Sequence, residues 1–334
     1  MAQPLPATMQ AVSVREIGSF QFEQRPVPQP GPGEVLLRVT VTGLCRTDLK
    51  IIQVGHRDLV LPCIPGEEVV GEVVALGPQT DTTLLNQRCY VYPGEWCGHC
   101  PACRAGAENL CRSMRIMGFH RDGGFAGYVI APLKSLIPLP EGLSDEQAVF
   151  AEPLSCCLNA LELARLAPTE TIVIWGGGPA GQLLARAASS YGALPTVIEP
   201  DQTRRELAHG LAEPPDRHFD VCMVAVGNND AYQQALARLA PRGRLVVFSG
   251  LSKETATITT DFNQLHYLEQ TVVGAYGCCY RHGRQAIALL QSGRLEVGDL
   301  ISHRMPLSRL AEALELVANR QCMKIHLYPE ACTP

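Results

Sequence analysis

The stretch Val173-Ile174-Trp175-Gly176-Gly177-Gly178-Pro179-Ala180-Gly181 constrains this chain more than any other. An apolar, β-branched run enters a glycine turn, and an Ala/Leu-rich helix follows from Gln182 to Ser190. Gly176, Gly178 and Gly181 fall in the spacing G-x-G-x-x-G. The first permits a tight turn, the second lets backbone approach a pyrophosphate, and the third lets helix and strand pack closely. Pro179 and Ala180 complete the same phosphate-binding turn. The helix that follows aims its free N–H groups and positive dipole end at the phosphates. Bare glycine patterns also arise in ordinary turns, so the neighbours decide. A second apolar run, Thr196-Val197-Ile198, ends at Glu199. An acidic residue belongs about twenty residues after the turn, on the ribose of a dinucleotide.

A length of 334 residues suggests two domains, and 46% hydrophobic content supplies two cores. The net charge of −5 gives no reason to expect nucleic acid or an anionic membrane as partner. No apolar stretch is long enough to span a bilayer. Met1-Ala2-Gln3-Pro4-Leu5-Pro6 has no basic region followed by an apolar one, so no secretory signal is read there. A reducing cytoplasm is the expected home of the fourteen cysteines, and clustered ones then suggest metal. Cys156-Cys157 and Cys278-Cys279 read as small buried hydrophobes.

The pattern splits the chain into a β-rich part and an alternating part. Short strands are expected at Met9–Val14, Phe20–Arg25, Glu34–Val41, Val69–Leu76, Cys89–Tyr92 and Gly124–Ala131. The proline-rich run from Pro26 to Gly33 reads as a rigid loop. Ser144-Asp145-Glu146-Gln147 is a capping box, and Pro153 suits the first turn of the next helix. From Ile172 to Tyr276 strands and helices alternate, which predicts a doubly wound parallel sheet. Only eight residues, including Pro214 and Pro215, separate Leu211 from the strand at Asp220. We read this as a deletion at the sheet edge. The last third is helical over Arg284–Leu290 and Leu307–Asn319, with a final strand at Lys324–Leu327. The expected domains are 1–154 with 296–334, and 155–295.

Cys97-x2-Cys100-x2-Cys103-x7-Cys111 is a metal signal. Tight turns, helped by Gly98, present thiolates to one ion, and four thiolates with no open position describe structural zinc. An iron–sulfur cluster is the rival, because C-x2-C-x2-C also opens a ferredoxin run; the fourth spacing departs from it.

Three further pieces are modest taken singly: Cys45-Arg46-Thr47-Asp48-Leu49-Lys50, Gly66-Glu67-Glu68-Val69-Val70-Gly71, and Glu152-Pro153-Leu154. Together with the four-cysteine lobe, the glycine turn and the late Tyr267-x-Glu269-x-Thr271-Val272-Val273-Gly274 segment, they make the order of elements recognisable. The chain resembles the zinc-dependent medium-chain alcohol dehydrogenase superfamily, particularly its polyol (sorbitol-like) and threonine dehydrogenase branches. The resemblance covers nearly the whole length and implies a GroES-like catalytic domain with a Rossmann domain.

That resemblance implies a catalytic zinc on Cys45, with Glu68 and Glu152 as further participants. The histidine expected beside Glu68 is replaced by Glu67, the main departure. Cys45, Glu67 and Glu152 would then hold the metal; a different or labile metal, or none, are the alternatives. A shell with an added carboxylate makes a weaker Lewis acid. Asp48, which would orient the histidine, would instead face a carboxylate. Thr47 keeps the hydroxyl of a proton relay. Lys50 stands where a relay histidine is common, and would pass protons or bind a cofactor phosphate. Arg46 matches a pyrophosphate-binding arginine, and His56 with Arg57 would line a substrate cleft. Glu199, followed by Asp201, favours NAD over NADP, while Arg204 and Arg205 argue mildly the other way.

The expectation is zinc-assisted hydride transfer between a secondary alcohol and NAD. The substrate would be a polyol, a sugar or an aminocyclitol-like compound, and the assembly a homodimer or homotetramer. The alternatives are a metal-free reductase of the same superfamily and a non-enzymatic NAD-binding protein.

Overall fold

A computed structural model describes residues 5–329. Residues 1–4 and 330–334, and with them most of the Met1–Pro6 segment, lie outside the described residues. The chain divides into two compact units, Met1–Glu152 with Cys279–Pro334, and Pro153–Cys278.

In the first unit, β1 (Thr8–Ser13) and β2 (Gln21–Pro26) form an antiparallel pair. β3 (Glu34–Leu44) leads through α1 (Arg46–Gln53) to β4 (Glu68–Leu76) and β5 (Arg88–Val91). The cysteine lobe follows, with β6 (Gly94–Glu95), α2 (Pro101–Arg104) and β7 (Arg115–Ile116). Then come β8 (Tyr128–Pro132), β9 (Leu136–Pro138) and α3 (Asp145–Ala148). β3 is the axis of this unit. Its alternation feeds two cores: Val35, Leu37 and Val39 enter one, Leu36 and Leu44 the other. One edge of β3 pairs with β4, with register shifts at Leu36/Leu37 and Val39/Val41, and its first half pairs with β8 as well.

The helix α4 (Ala151–Leu163) opens the second unit. There β10 (Thr171–Trp175), α5 (Pro179–Ser190), β11 (Leu194–Ile198), α6 (Gln202–Leu207) and β12 (Phe219–Val224) alternate as expected. α7 (Asn229–Ala237), β13 (Leu239–Val247), α8 (Phe262–Tyr267) and β14 (Thr271–Gly274) complete it. The five strands are parallel, in the order β11-β10-β12-β13-β14. Chain direction across the sheet reverses at β10, which puts the glycine turn at the topological switch point. Where a further edge strand would lie there is a one-residue bridge: Leu211 donates to Val197 O at 2.8 Å and accepts from Glu199 N at 2.9 Å. The edge is trimmed, as the short spacing before Asp220 implied.

The chain then returns to the first unit through α9 (Tyr280–Gln291), β15 (Ile301–Pro306), α10 (Leu310–Ala318) and β16 (Lys324–Tyr328). β16 pairs with β3 and places Lys324 and His326 on one face, Ile325 and Leu327 on the other. The second boundary falls at 278/279 rather than 295/296, because α9 is held by the first unit. Tyr280 donates its hydroxyl to Leu136 O at 2.9 Å and its N–H to Glu108 at 3.0 Å.

One local expectation is corrected, and two elements had not been assigned. The segment after Cys45 is a helix, capped by the Cys45 sulfur and the Asp48 carboxylate rather than by the usual hydroxyl. The strand expected over Gly124–Ala131 lies at Tyr128–Pro132, because Gly123, Gly124 and Phe125 donate instead to Ile64, Gly66 and Pro65. β15 was not anticipated; its exposed Ser302 and Arg304 and half-buried His303 carry no apolar alternation.

Candidate active site

The glycine turn of the second unit is built as its spacing requires. Gly176 has φ 110°, and a Cβ there would stand 2.6 Å from a Val226 methyl. A Cβ on Gly181 would stand 1.7 Å from Gly176 O, so only glycine lets α5 sit this close to β10. Gly178 caps α5 without a side-chain bond, and Pro179 takes the first turn, leaving N–H groups for an anion. The Glu199 carboxylate lies against this turn. It accepts from Gly177 N at 2.7 Å and from Asp201 N at 3.0 Å. Arg204 reaches over Gly178, 3.8 Å from where a Cβ would be. Arg205 is occupied differently, donating to Glu199 O at 3.0 Å and Pro200 O at 2.7 Å.

In the first unit, Cys97, Cys100, Cys103 and Cys111 bring their sulfurs together within 4.8 Å. The Sγ–Sγ separations are 3.9 Å (97–103), 3.5 Å (100–103), 3.9 Å (100–111) and 3.6 Å (97–111). Thiolates about 2.3 Å from a tetrahedral zinc ion stand roughly 3.8 Å apart, so the four fit one such ion. Backbone N–H groups already face these sulfurs. Those of Cys103 and Arg112 bring the Cys100 thiol down to about 6.

The second group of interest forms where α1 meets the loop before β4. Cys45 is the N-cap of α1, and its sulfur accepts from Thr47 N at 3.2 Å. The Cys45 Sγ lies 3.6 Å from Glu67 Oε1. That separation suits two adjacent ligands of one tetrahedral ion, about 2.3 Å from sulfur and 2.0–2.2 Å from oxygen. Among the described residues, Cys45, Glu67 and Glu152 are not drawn together within 4.8 Å as the four thiols are. Glu152, in the first turn of α4 and 7% exposed, nevertheless acts on Glu67. Burial, then Glu152, Asp48 and Glu68, push the Glu67 carboxyl well above its ordinary range. Burial, then Asp48, Glu67 and Glu68, push the Cys45 thiol up as well. So many buried acids destabilise one another's charged forms, and a divalent cation among them relieves this. The donor set therefore fits a zinc-type ion.

Asp48 acts on the Glu67 carboxyl and is also committed to backbone. Its carboxylate accepts from Cys45 N at 2.9 Å and Gly66 N at 3.2 Å, tying the two ligand-bearing loops together. Burial raises it to about 6. Glu68 is buried and paired with Lys324, a partner that sequence reading missed. A lysine opening an otherwise apolar strand was the available signal. Thr47 is partly exposed, one turn before Lys50 on α1; Arg46 and Lys50 are exposed.

Comparison with known proteins places these features in a family. Residues 31–141 match the alcohol dehydrogenase GroES-like domain and residues 185–292 the zinc-binding dehydrogenase domain. L-galactonate-5-dehydrogenase of Escherichia coli (strain K12) is 28% identical over 95% of this chain and 98% of its own length. L-threonine 3-dehydrogenase of Pyrococcus horikoshii is 32% identical over 87% of this chain and 90% of its own. A zinc-binding dehydrogenase from Sinorhizobium meliloti 1021, solved with NADP, superposes with a TM-score of 0.90 at 28% identity. That match covers 97% of this chain and all of that one.

Proposed function

Because the chain belongs to the zinc-dependent medium-chain dehydrogenase superfamily, we propose that this oxidoreductase converts a secondary alcohol on a polyhydroxylated carbon chain to the ketone, with NAD as acceptor. The observation that carries this reading is the 3.6 Å approach of Cys45 Sγ and Glu67 Oε1 inside a buried acidic cluster. Cys45, Glu67 and Glu152 would hold the catalytic ion in this reading, and Cys97, Cys100, Cys103 and Cys111 the structural one. When bound, zinc supplies Lewis-acid polarisation of the hydroxyl and NAD supplies the hydride acceptor.

The chain's own groups do the rest. The Thr47 hydroxyl takes the alcohol proton and passes it outward. Asp48 fixes the spacing of Cys45 and Gly66 through their N–H groups. Lys324 offsets part of the negative charge that Glu67 adds where a neutral histidine is common. Glu199 receives the ribose hydroxyls, and its charge disfavours a phosphate there. The β14 edge is exposed and pairs two copies of the chain.

Zinc content tests the metal reading. About two ions per chain are expected, falling to one in Glu67→Ala with the tetrathiolate ion kept. Unchanged metal content and turnover in that variant would remove Glu67 from the shell. An NAD-coupled screen of polyols and sugar acids separates the dehydrogenase from a metal-free reductase or a non-enzymatic NAD-binding protein.

A further inference from the structure

Two vicinal cysteine pairs, Cys156-Cys157 and Cys278-Cys279, have no part in the groups described above. The fold divides each pair. Cys157 donates to Ala180 O at 3.6 Å. Cys279 donates to Asn109 Oδ1 at 3.1 Å and lies 3.5 Å from Gly106 O. Their neighbours turn another way. The sulfurs of Cys156 and Cys278 and a carboxylate oxygen of Glu152 all lie within 4.8 Å of one another. Cys157, Cys278 and Cys279 are buried, as expected of small hydrophobes, but Cys156 is only half-buried. Among the described residues, the tetrathiolate group is the one other place where three or more such donors gather this closely.

Local structure explains the meeting. Glu152 and Cys156 stand four residues apart on α4, so they share one face of that helix. Asn159 continues the same stripe, three residues after Cys156. It is 4% exposed and donates its Nδ2 to Gly277 O at 2.9 Å. That bond holds the segment after β14 against α4, where Gly277 turns with φ 57° and delivers Cys278. Cys278 is 5% exposed and Glu152 7%. Lys324 is the cation that the chain itself brings within range of Glu152, and it is already paired with Glu68.

The three donors have a definite chemical preference. Deprotonated thiols are soft ligands, which select zinc and other thiophilic ions over magnesium or calcium. Two thiolates and one carboxylate supply three corners of a tetrahedron and leave the fourth to water.

We propose that Glu152, Cys156 and Cys278 form a further metal position, for zinc or another thiophilic divalent cation, distinct from the tetrathiolate and from the Cys45–Glu67 pair. Glu152 is common to this group and to the shell proposed around Glu67, on whose carboxyl it acts. An ion at Cys45 and Glu67 competes for that carboxylate, so the further position fills last, when metal is in excess. The order of filling rests on the dehydrogenase reading; the position itself does not.

The test uses the full-length protein carrying its zinc, with ¹¹³Cd as the probe, because its NMR shift reports how many thiolates hold the ion. Added cadmium should give a signal in the range of two thiolates with oxygen, upfield of the four-thiolate range. That signal should saturate at one ion per chain. Loss of a direct ligand costs at least as much as loss of the group that orients it. Cys156→Ser and Cys278→Ser should therefore each weaken cadmium binding by about tenfold or more. Cys157→Ser and Cys279→Ser, whose sulfurs are engaged elsewhere, should keep it. A parent spectrum with no two-thiolate signal would overturn the site. So would a signal that survives in either Cys156→Ser or Cys278→Ser, or that fades equally in the two control variants. Where a variant does not fold, the parent spectrum decides. No turnover is read, so a chain that oxidises no alcohol could still show this site, and a chain lacking it could still be a dehydrogenase.

Discussion

Lys324 is ion-paired with Glu68 beside Cys45, and the two residues are only 2% and 1% exposed. β16 brings the lysine there by pairing Ile325 with Leu44, the residue before Cys45. Removing one partner of a buried pair typically costs about 3–5 kcal/mol, because the other charge is left uncompensated. Lys324→Met should therefore lower stability by about 3 kcal/mol. In the proposed reading it should also weaken retention of the zinc at Cys45 and Glu67 while that at the four thiolates stays. Urea unfolding with zinc analysis on the same samples checks both, and Lys324→Arg should recover most of the loss.

His326 lies two residues further along the same face, fully buried, with neither ring nitrogen hydrogen-bonded among the described residues. The Phe150 ring packs against it at 5.4 Å. Burial, then the Lys324 charge, lowers the imidazole to about 3. An unfolded histidine titrates near 6.5, so between pH 6.5 and 3 the unfolded chain binds a proton that the folded one refuses. Stability from this group is complete above pH 6.5 and falls with acid across that window, by about 1.4 kcal/mol per unit. His326→Leu should be less sensitive to pH between 7 and 5 than the parent. An equal loss of stability from pH 7 to 5 in parent and variant, by urea unfolding, would show that the ring is not held neutral.

Much of this architecture could be read from residues alone, because the physics there is local. The G-x-G-x-x-G turn, the thiol spacing and the trimmed edge before Asp220 each follow from what a few consecutive residues permit. The proposed catalytic shell was less legible. That the Asp48 oxygens also accept from the N–H groups of Cys45 and Gly66 needed the fold, because those N–H groups lie on separate loops. The Lys324–Glu68 pair joins positions 256 residues apart, and only the pairing of β16 with β3 brings them together.

Glu199 controls cofactor choice in the proposed reading. Its two oxygens already accept from Gly177 and Asp201, which holds the negative charge beside the turn. Glu199→Ser removes that charge and leaves Arg204 nearby. The ratio of kcat/KM with NADP to that with NAD should rise by about 10- to 100-fold, roughly 1.4–2.8 kcal/mol of differential binding. An unchanged ratio would detach Glu199 from the ribose.

Glu67→His tests the cost of the unusual carboxylate in the other direction. The substitution takes one negative charge out of a cluster that already holds Cys45, Asp48, Glu68 and Glu152. A neutral imidazole is a good zinc ligand and leaves the ion a stronger Lewis acid. Zinc retention against a chelator should increase, and turnover at pH 7 should rise several-fold. Asp48 is the obstacle, since its oxygens are committed to backbone and cannot orient the new ring without giving one up. Adding Asp48→Asn should then reduce the gain and not enlarge it.

The edge of the parallel sheet gives the last prediction. Among the described residues β14 pairs only with β13, so its outer N–H and C=O groups face away from the sheet. Val272 is 46% exposed, and Phe262 and Tyr267 of α8, the helix before β14 in the chain, are 78% and 77% exposed. An open strand edge bordered by large apolar side chains is a template for pairing with another chain. Two copies joined edge to edge across β14 would bury these groups and continue the sheet. Light scattering should return the mass of two chains or a multiple of two. Val272→Lys puts a charge into that edge and should shift the mass to a single chain, with NAD binding kept because the glycine turn lies at β10. A parent protein that is already monomeric at micromolar concentration would rule out this edge as the contact.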